Sequence, residues 1–369
     1  MKIICDKEEM KAAVTRVIGA VSQKSTIPAL EGILLKSFGN TLFLAGYDLE
    51  IGITATIPAK VQQEGDIIFP AKLLLEMLTR MDGQEVSFDV DDKFMSTVRS
   101  GKAEFKVMGM DATEFPDLPS LSVDNQFTLS RGELREMINQ TFFAIAQTEQ
   151  RPVHTGSKFD LKDGYFNLVS VDGFRLAHCR RKIADETPRS FVVPRKTLSE
   201  LLKMLGDEED RPLQVNLSKK HIIFELDQYT VISRLLEGEF LDYERAVPKT
   251  CTTTARISRR LFIECFERVA IVTEEKLIIP VKLLFSGQSV QISCVTAVGQ
   301  IKETLPAQIE GPEVEIGFNN RYLLEALKNC KNDEVLICLN RPENPVKIIP
   351  PDSDDYTFLV LPMRLNKYE

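Results

Sequence analysis

The sequence predicts an α+β protein of three repeated domains, each with two helices packed on antiparallel sheets. Three observations carry that reading. The chain has 369 residues, more than one hydrophobic core usually serves. One pattern recurs three times at constant spacing. Within each recurrence, apolar residues alternate at strand period in several stretches and fall at i, i+3, i+4 in two others.

The spacing is clearest in three segments: Leu44-Ala45-Gly46-Tyr47-Asp48-Leu49-Glu50-Ile51, Leu168-Val169-Ser170-Val171-Asp172-Gly173-Phe174-Arg175 and Ile292-Ser293-Cys294-Val295-Thr296-Ala297-Val298-Gly299. They start 124 residues apart. Each reads as an alternating strand, a turn and a second strand. Upstream, each unit opens with a longer amphipathic helix, over 7–21, 131–146 and 259–273, with Ser130 and Ser258 as N-cap candidates. Downstream comes a shorter helix, after Phe69-Pro70-Ala71-Lys72, Val193-Pro194-Arg195-Lys196 and Phe318-Asn319-Asn320-Arg321. In the first two, proline stands at the helix entry, where its missing N–H is not needed. The order in each unit is strand, helix, strands, helix, strands, so each domain divides into two similar halves.

Boundaries follow from proline-bearing connectors. Glu114-Phe115-Pro116-Asp117-Leu118-Pro119 precedes the second unit, and Asp242-Tyr243-Glu244-Arg245-Ala246-Val247-Pro248-Lys249 precedes the third. The expected domains are 1–124, 125–250 and 251–369, the last with a short C-terminal extension. Short connectors of this kind predict a fixed rather than a flexible arrangement.

Composition excludes several functions. Hydrophobic residues make up 43 % and charged residues 27 %, as in ordinary globular proteins. Seven cysteines, an odd number without C-x-x-C spacing, argue for buried thiols in a reducing cytoplasm, with no disulfide framework and no zinc site. The first residues contain no signal-peptide pattern, and no apolar run reaches membrane-spanning length. The three histidines, His154, His178 and His221, lack metal-ligand spacing, and no nucleophile elbow, Walker loop or dinucleotide fingerprint occurs. The Asp172-Gly173 pair reads as a β-turn, and Asp207-Glu208-Glu209-Asp210 as a solvated loop. Binding rather than catalysis is expected, without metal or cofactor.

A net charge of −8 opposes non-specific nucleic-acid affinity unless basic residues are segregated. The helical segments carry such residues, among them Lys11, Arg16, Lys72, Arg80, Arg131, Arg135, Arg195, Lys196, Arg259, Arg260, Arg268 and Arg321. Many acidic residues fall instead on strands and loops, as at Asp89, Asp91 and Asp92. A repeat with helices on one surface would hold phosphates there without reading bases.

The chain resembles the bacterial sliding clamp family, the β subunit of the replicative DNA polymerase holoenzyme. The resemblance spans the chain and rests on Ser25-Thr26-Ile27-Pro28-Ala29-Leu30 with Asp48-Leu49-Glu50, the connector from Glu114, Val171-Asp172-Gly173-Phe174-Arg175-Leu176-Ala177, Val193-Pro194-Arg195-Lys196, Glu239-Phe240-Leu241-Asp242-Tyr243, and Leu361-Pro362-Met363-Arg364-Leu365. It implies a head-to-tail homodimeric ring, helices inside and sheets outside, sliding on duplex DNA without sequence specificity. The joint between first and third domains would match Phe105, Val107, Ile271 and Val272. DNA contacts would match Lys24, Lys72, Gln150, Arg195 and Lys196.

The resemblance also implies a pocket for short peptides of the polymerase, the clamp loader and other partners. Its matching residues are Arg151, His154, Val171, Gly173, Arg175, Leu176, Leu241, Arg245, Tyr322, Val360, Pro362, Met363 and Leu365. Four positions depart from the family's usual residues: Phe174 replaces a histidine, His154 an aliphatic residue, Val171 a threonine and Leu241 a proline. An altered peptide preference is therefore expected. The extension Asn366-Lys367-Tyr368-Glu369 passes the usual end, and the sequence leaves open whether it covers the pocket. A repeat scaffold binding only proteins is the alternative reading.

Overall fold

The computed structural model describes residues 1–119, 125–148, 150–206, 211–273 and 279–365. The acidic run from Asp207 to Asp210, the first expected domain boundary and the extension from Asn366 to Glu369 lie outside the described residues.

The first domain runs β1 (Lys2–Asp6), α1 (Lys7–Val17), β2 (Gly32–Phe38), β3 (Thr41–Tyr47), β4 (Ile51–Pro58), β5 (Lys60–Gln63), β6 (Gly65–Pro70), α2 (Ala71–Arg80), β7 (Glu85–Val90), β8 (Met95–Ser100), β9 (Ala103–Met108). The second runs β10 (Gln126–Ser130), α3 (Arg131–Thr141), β11 (Gly156–Lys162), β12 (Tyr165–Val171), β13 (Arg175–Lys182), β14 (Arg189–Pro194), α4 (Arg195–Met204), β15 (Pro212–Leu217), β16 (His221–Leu226), β17 (Tyr229–Arg234). A one-turn helix in the connector, α5 (Tyr243–Ala246), leads to the third. That domain runs β18 (Thr253–Ser258), α6 (Arg259–Val272), β19 (Pro280–Ser286), β20 (Ser289–Val295), β21 (Gln300–Pro306), β22 (Gln308–Glu310), β23 (Val314–Asn319), α7 (Asn320–Lys328), β24 (Glu334–Leu339), β25 (Val346–Ile349), β26 (Tyr356–Val360). Apart from the short β5 and β22, every half-domain reads strand, helix, three strands.

Among the described residues all the strand pairings are antiparallel, and the halves of each domain exchange their first strands. β1 pairs with β7 and β6 with β2; β10 pairs with β15 and β14 with β11; β18 pairs with β24 and β23 with β19. By packing, the chain divides into two compact units, Met1–Leu134 with Lys196–Leu235, and Arg135–Arg195 with Leu236–Glu369. The first unit holds a five-stranded sheet, β5-β1-β7-β8-β9, and an eight-stranded one, β10-β15-β16-β17-β4-β3-β2-β6. The second holds a nine-stranded sheet, β14-β11-β12-β13-β26-β25-β24-β18-β22, and a four-stranded one, β21-β20-β19-β23. The long sheets arise because β17 joins β4 and β13 joins β26, edge to edge between successive domains.

The first two opening helices end earlier than their apolar period implies, while α6 runs almost its full expected length. Tight 3-10 turns, Ile18–Ala20 and Phe142–Ala144, take over the last apolar positions after α1 and α3. Gly19 lies in the first of them, where a Cβ would stand 2.2 Å from Glu200 Oε2 and displace that carboxylate. Capping also differs from the expectation. Ser130 Oγ accepts from the Glu133 N–H at 3.3 Å, but the Ser258 side chain makes no cap bond. At α1 the cap is Asp6, accepting from the Glu9 N–H at 2.9 Å. Pro70 is the N-cap of α2, while Asn319 caps α7 through the Arg321 N–H at 3.0 Å.

The threefold repeat is visible at single turns. Asp48 Oδ1 accepts from the Glu50 and Ile51 N–H groups at 2.9 and 2.8 Å. Asp172 Oδ1 does so from Phe174 and Arg175 at 2.9 and 3.1 Å, and Thr296 Oγ1 from Val298 and Gly299 at 3.2 Å each. One side-chain oxygen thus closes each turn on the two N–H groups that follow. The connectors repeat too. Phe115 is buried among Leu30, Ala45 and Tyr47, and the ring of Phe240 meets His154 edge-on at 5.2 Å. Tyr243 is buried against Val169, Val171 and Leu176 and donates to Asp160 Oδ2 at 2.7 Å. Each connector is therefore pinned to a sheet by aromatic burial, worth about 2 kcal/mol per ring.

Candidate functional site

The second unit contains a cavity of about 580 Å³. The turn between β12 and β13 supplies Val171, Asp172, Gly173, Phe174, Arg175 and Leu176; the segment before β11 supplies Gln150, Arg151 and His154. Leu241 and Ala246 enter from the connector, and Pro345, Leu359 and Leu361 from the third domain. The turn has room for a ligand because Gly173, at φ +91°, has nothing within 4 Å of where a Cβ would stand.

Arg175 organises the wall. It is 5 % exposed, donates through Nε to Asp172 Oδ2 at 2.9 Å, and pairs through Nη1 with Glu325 of α7. Its guanidinium lies 4.7 Å from the ring centre of Tyr322 and 5.2 Å from that of Phe143. Two carboxylates and two aromatic faces satisfy a buried cation that would otherwise be costly. Tyr322 in turn stacks on Phe174, centroids 5.7 Å apart, so Phe174 stands at the rim, 57 % exposed. Burial, reinforced by Arg151, holds the His154 imidazole below its usual pKa, and the ring acts as an apolar wall.

Seven of the thirteen expected peptide-contact residues line this cavity: Arg151, His154, Val171, Gly173, Arg175, Leu176 and Leu241. The other six lie outside the lining. Tyr322 reaches it through Phe174 and Arg175. Val360 is fully buried on β26, since alternation turns Leu359 and Leu361 to the cavity instead. Arg245 is exposed and paired with Asp242 at 3.0 Å. Pro362, Met363 and Leu365 continue past β26 along β23. There the Met363 N–H donates to the Gly317 carbonyl at 2.8 Å, and Leu365 Cδ2 lies 2.7 Å from where a Gly317 Cβ would be.

The basic candidates divide by environment. In the first unit, Lys72 and Lys196 line one cavity of about 840 Å³ together with Lys203, Glu31, Asp48 and Glu200. Lys196 is paired with Asp48, and Lys203 with Glu200 at 2.7 Å. Lys24 is exposed in the loop that follows α1 and its 3-10 turn. In the second unit, Arg195 donates to the Ile145 carbonyl at 3.2 Å and stacks on Phe142 at 4.3 Å. Gln150 lines the 580 Å³ cavity.

Two sheet edges complete the picture. β9 pairs on one side with β8, and β21 on one side with β20. Beside them lie exposed apolar side chains: Phe105 (38 %) and Met108 on β9, and Ile271 (79 %), Val295 and Val298 near β21. Val107 and Val272 are half-buried. Unpaired edges with apolar flanks are rarely left open to solvent.

Comparison with known proteins decides the family. Residues 1–119, 128–242 and 244–364 match, in order, the N-terminal, central and C-terminal domains of the DNA polymerase III beta subunit. The chain belongs to the DNA polymerase III beta subunit family. It is 32 % identical over 380 residues to the beta sliding clamp of Halalkalibacterium halodurans, covering 99 % of this chain and 100 % of that one. It superposes on the sliding clamp of Bacillus subtilis with a TM-score of 0.96 at 28 % identity, covering 99 % and 100 % of the two chains. The sliding clamp of Pseudomonas aeruginosa, in a structure bound to griselimycin, gives a TM-score of 0.93 at 28 % identity and the same coverage.

Sequence reading of this family member missed Pro345, Leu359 and Leu361 in the cavity and, having read a strand at β21, its place at a sheet edge. The leucines had a signal, since they flank Val360 on an alternating strand. Pro345 and the free side of β21 had none, because sheet partners are not written locally. Six of the seven cysteines are buried, as their apolar settings implied, and burial pushes the Cys5 thiol up to about 12.

Proposed function

We propose that copies of this chain close head to tail into a homodimeric ring around duplex DNA, and that the 580 Å³ cavity docks apolar peptide segments of the polymerase, the clamp loader and other partners. The chain is a DNA polymerase processivity factor and not an enzyme; tethering raises the polymerase's effective concentration at the primer end. The observation that carries the ring is the edge rule. In the chain, the last strand of one domain's first half joins the last strand of the next domain's second half, β4 with β17 and β13 with β26. The strands left over under that rule are β21 and β9. Antiparallel pairing of β21 with β9 of a second copy extends it and covers Phe105, Val107, Ile271 and Val272.

In this reading Lys24 and Lys72 are the freest of the DNA contacts, and Arg195 and Gln150 act by shaping the second unit. Domain limits are proposed at 124/125 and 250/251, and the site of action in the cytoplasm. Among the described residues no helix is long and apolar enough to cross a membrane. The peptide preference is set by Phe174, Val171, His154 and Leu241, whose apolar faces suit aliphatic or aromatic anchors.

The test is retention on nicked circular DNA with a matched clamp loader and ATP, before and after linearising the circle. Retention followed by loss on cutting is expected of a ring. No retention, with a loader proven active on its own clamp, would favour the protein-only scaffold.

A further inference from the structure

The face of the nine-stranded sheet that the connector covers carries a second cavity of about 430 Å³, roofed by connector residues Tyr243, Glu244, Val247, Pro248 and Lys249. Alternation along β13 fixes which face this is. The Cys179 thiol points to α3, 3.5 Å from Gln140 Oε1, so His178 and Arg180 point the opposite way and line the cavity. In a chain of net charge −8, Arg180, Lys249 and Lys347 converge here. The acidic neighbours are already engaged, Asp354 by Arg180 and Glu244 by Lys162 at 2.5 Å. Lys347 Nζ donates to the Pro248 carbonyl at 3.2 Å. Among the described residues, no carboxylate oxygen lies within 4.0 Å of the ammonium of Lys249 or Lys347.

We propose that this cavity binds a phosphate group, with Lys249 and Lys347 supplying the charge beside the Arg180–Asp354 pair. Two ammonium groups without a carboxylate partner suit the tetrahedral oxygens of a phosphate, as monoanion or dianion, better than the two coplanar oxygens of a carboxylate. The volume admits a phosphate with a small ester substituent. An occupant would bind the connector to β25 and so stiffen the entry to the third domain.

The three histidines make the test direct. The full chain, labelled at histidine, is titrated by NMR from pH 7.5 to 3.5 with inorganic phosphate, with phosphoserine, with a short DNA duplex, or with chloride at matched ionic strength. Phosphate bound beside His178 raises that imidazole's pKa from about 4 by half a unit or more and leaves His154 and His221 unchanged. Lys249→Ala with Lys347→Ala abolishes the rise, and Lys249→Arg with Lys347→Arg keeps it. A tenfold lower half-saturating concentration for phosphoserine than for inorganic phosphate would identify a phosphorylated segment as the source. Parity would identify a free phosphate. An equal rise in chloride, a rise that survives the alanine pair, or a response to duplex alone would overturn the proposal.

Discussion

Leu49 occupies the left-handed region, φ +75°, in the turn that its repeat counterpart makes with Gly173. An L side chain pays about 1 kcal/mol for that conformation. The usual order of substitutions is therefore expected to invert. Leu49→Gly should be more stable than Leu49→Ala by about 1 kcal/mol in urea denaturation, and equality of the two would refute the strain. Asp48, Asp172 and Thr296 show how much of such a turn was legible. The turn was readable at all three positions from its polar residue, but not the backbone sign that follows, which depends on how each hairpin twists.

His178 sets a pH dependence at the same scale. Burial holds its pKa near 4 against an ordinary 6.5; Arg180 and Lys162 add to this, while Glu244 and Asp160 oppose it. Above 6.5 neither the folded nor the unfolded chain binds the proton. Between 6.5 and 4 only the unfolded chain binds it, so stability is lost as the pH falls across that window, by about 3 kcal/mol in total. Denaturation midpoints of wild type and His178→Gln should converge as pH falls from 7 to 4.5. Parallel profiles would show that the imidazole titrates freely in the folded state.

At the scale of elements, the connectors turn a repeated chain into a continuous structure. Phe115 and Tyr243 were visible only as residues in proline-bearing linkers, because what they pack on lies far away in sequence. Tyr243 adds a hydrogen bond to buried Asp160, and both groups lose a partner if it goes. Tyr243→Phe should therefore cost about 1–2 kcal/mol while leaving the pocket closed by Leu241 and Ala246 intact. Thermal unfolding together with peptide affinity separates these: stability is expected to drop and affinity to stay within twofold. An unchanged melting temperature would mean the hydroxyl contributes nothing. Helix ends show the same division. Ser130 caps as its residue type suggests, but Ser258 does not, since its side chain makes no bond to the first turn of α6.

At the scale of the whole molecule, the open edges of β9 and β21 dominate. Ile271→Arg places a charge on the most exposed apolar side chain of the chain's α6 end, where the proposed joint would desolvate it, at a cost of several kcal/mol per dimer. Sedimentation should show monomer at concentrations where the wild type is dimer, with unchanged circular dichroism. A dimer of unaltered affinity would move the joint elsewhere.

The 124-residue period, the alternation of strand and helix patterns and the apolar and basic residue types were fixed by local chemistry, so sequence alone determined three α+β domains, the turn residues and the binding class. The strand exchange between half-domains, the burial of Val360 beside exposed Leu361, the pairing of Lys196 with Asp48 and the unpaired edges of β9 and β21 were decided by tertiary structure. Each depends on which distant segment a strand or side chain meets, and hydrogen-bond partners across a sheet leave no mark on the residues that precede or follow them.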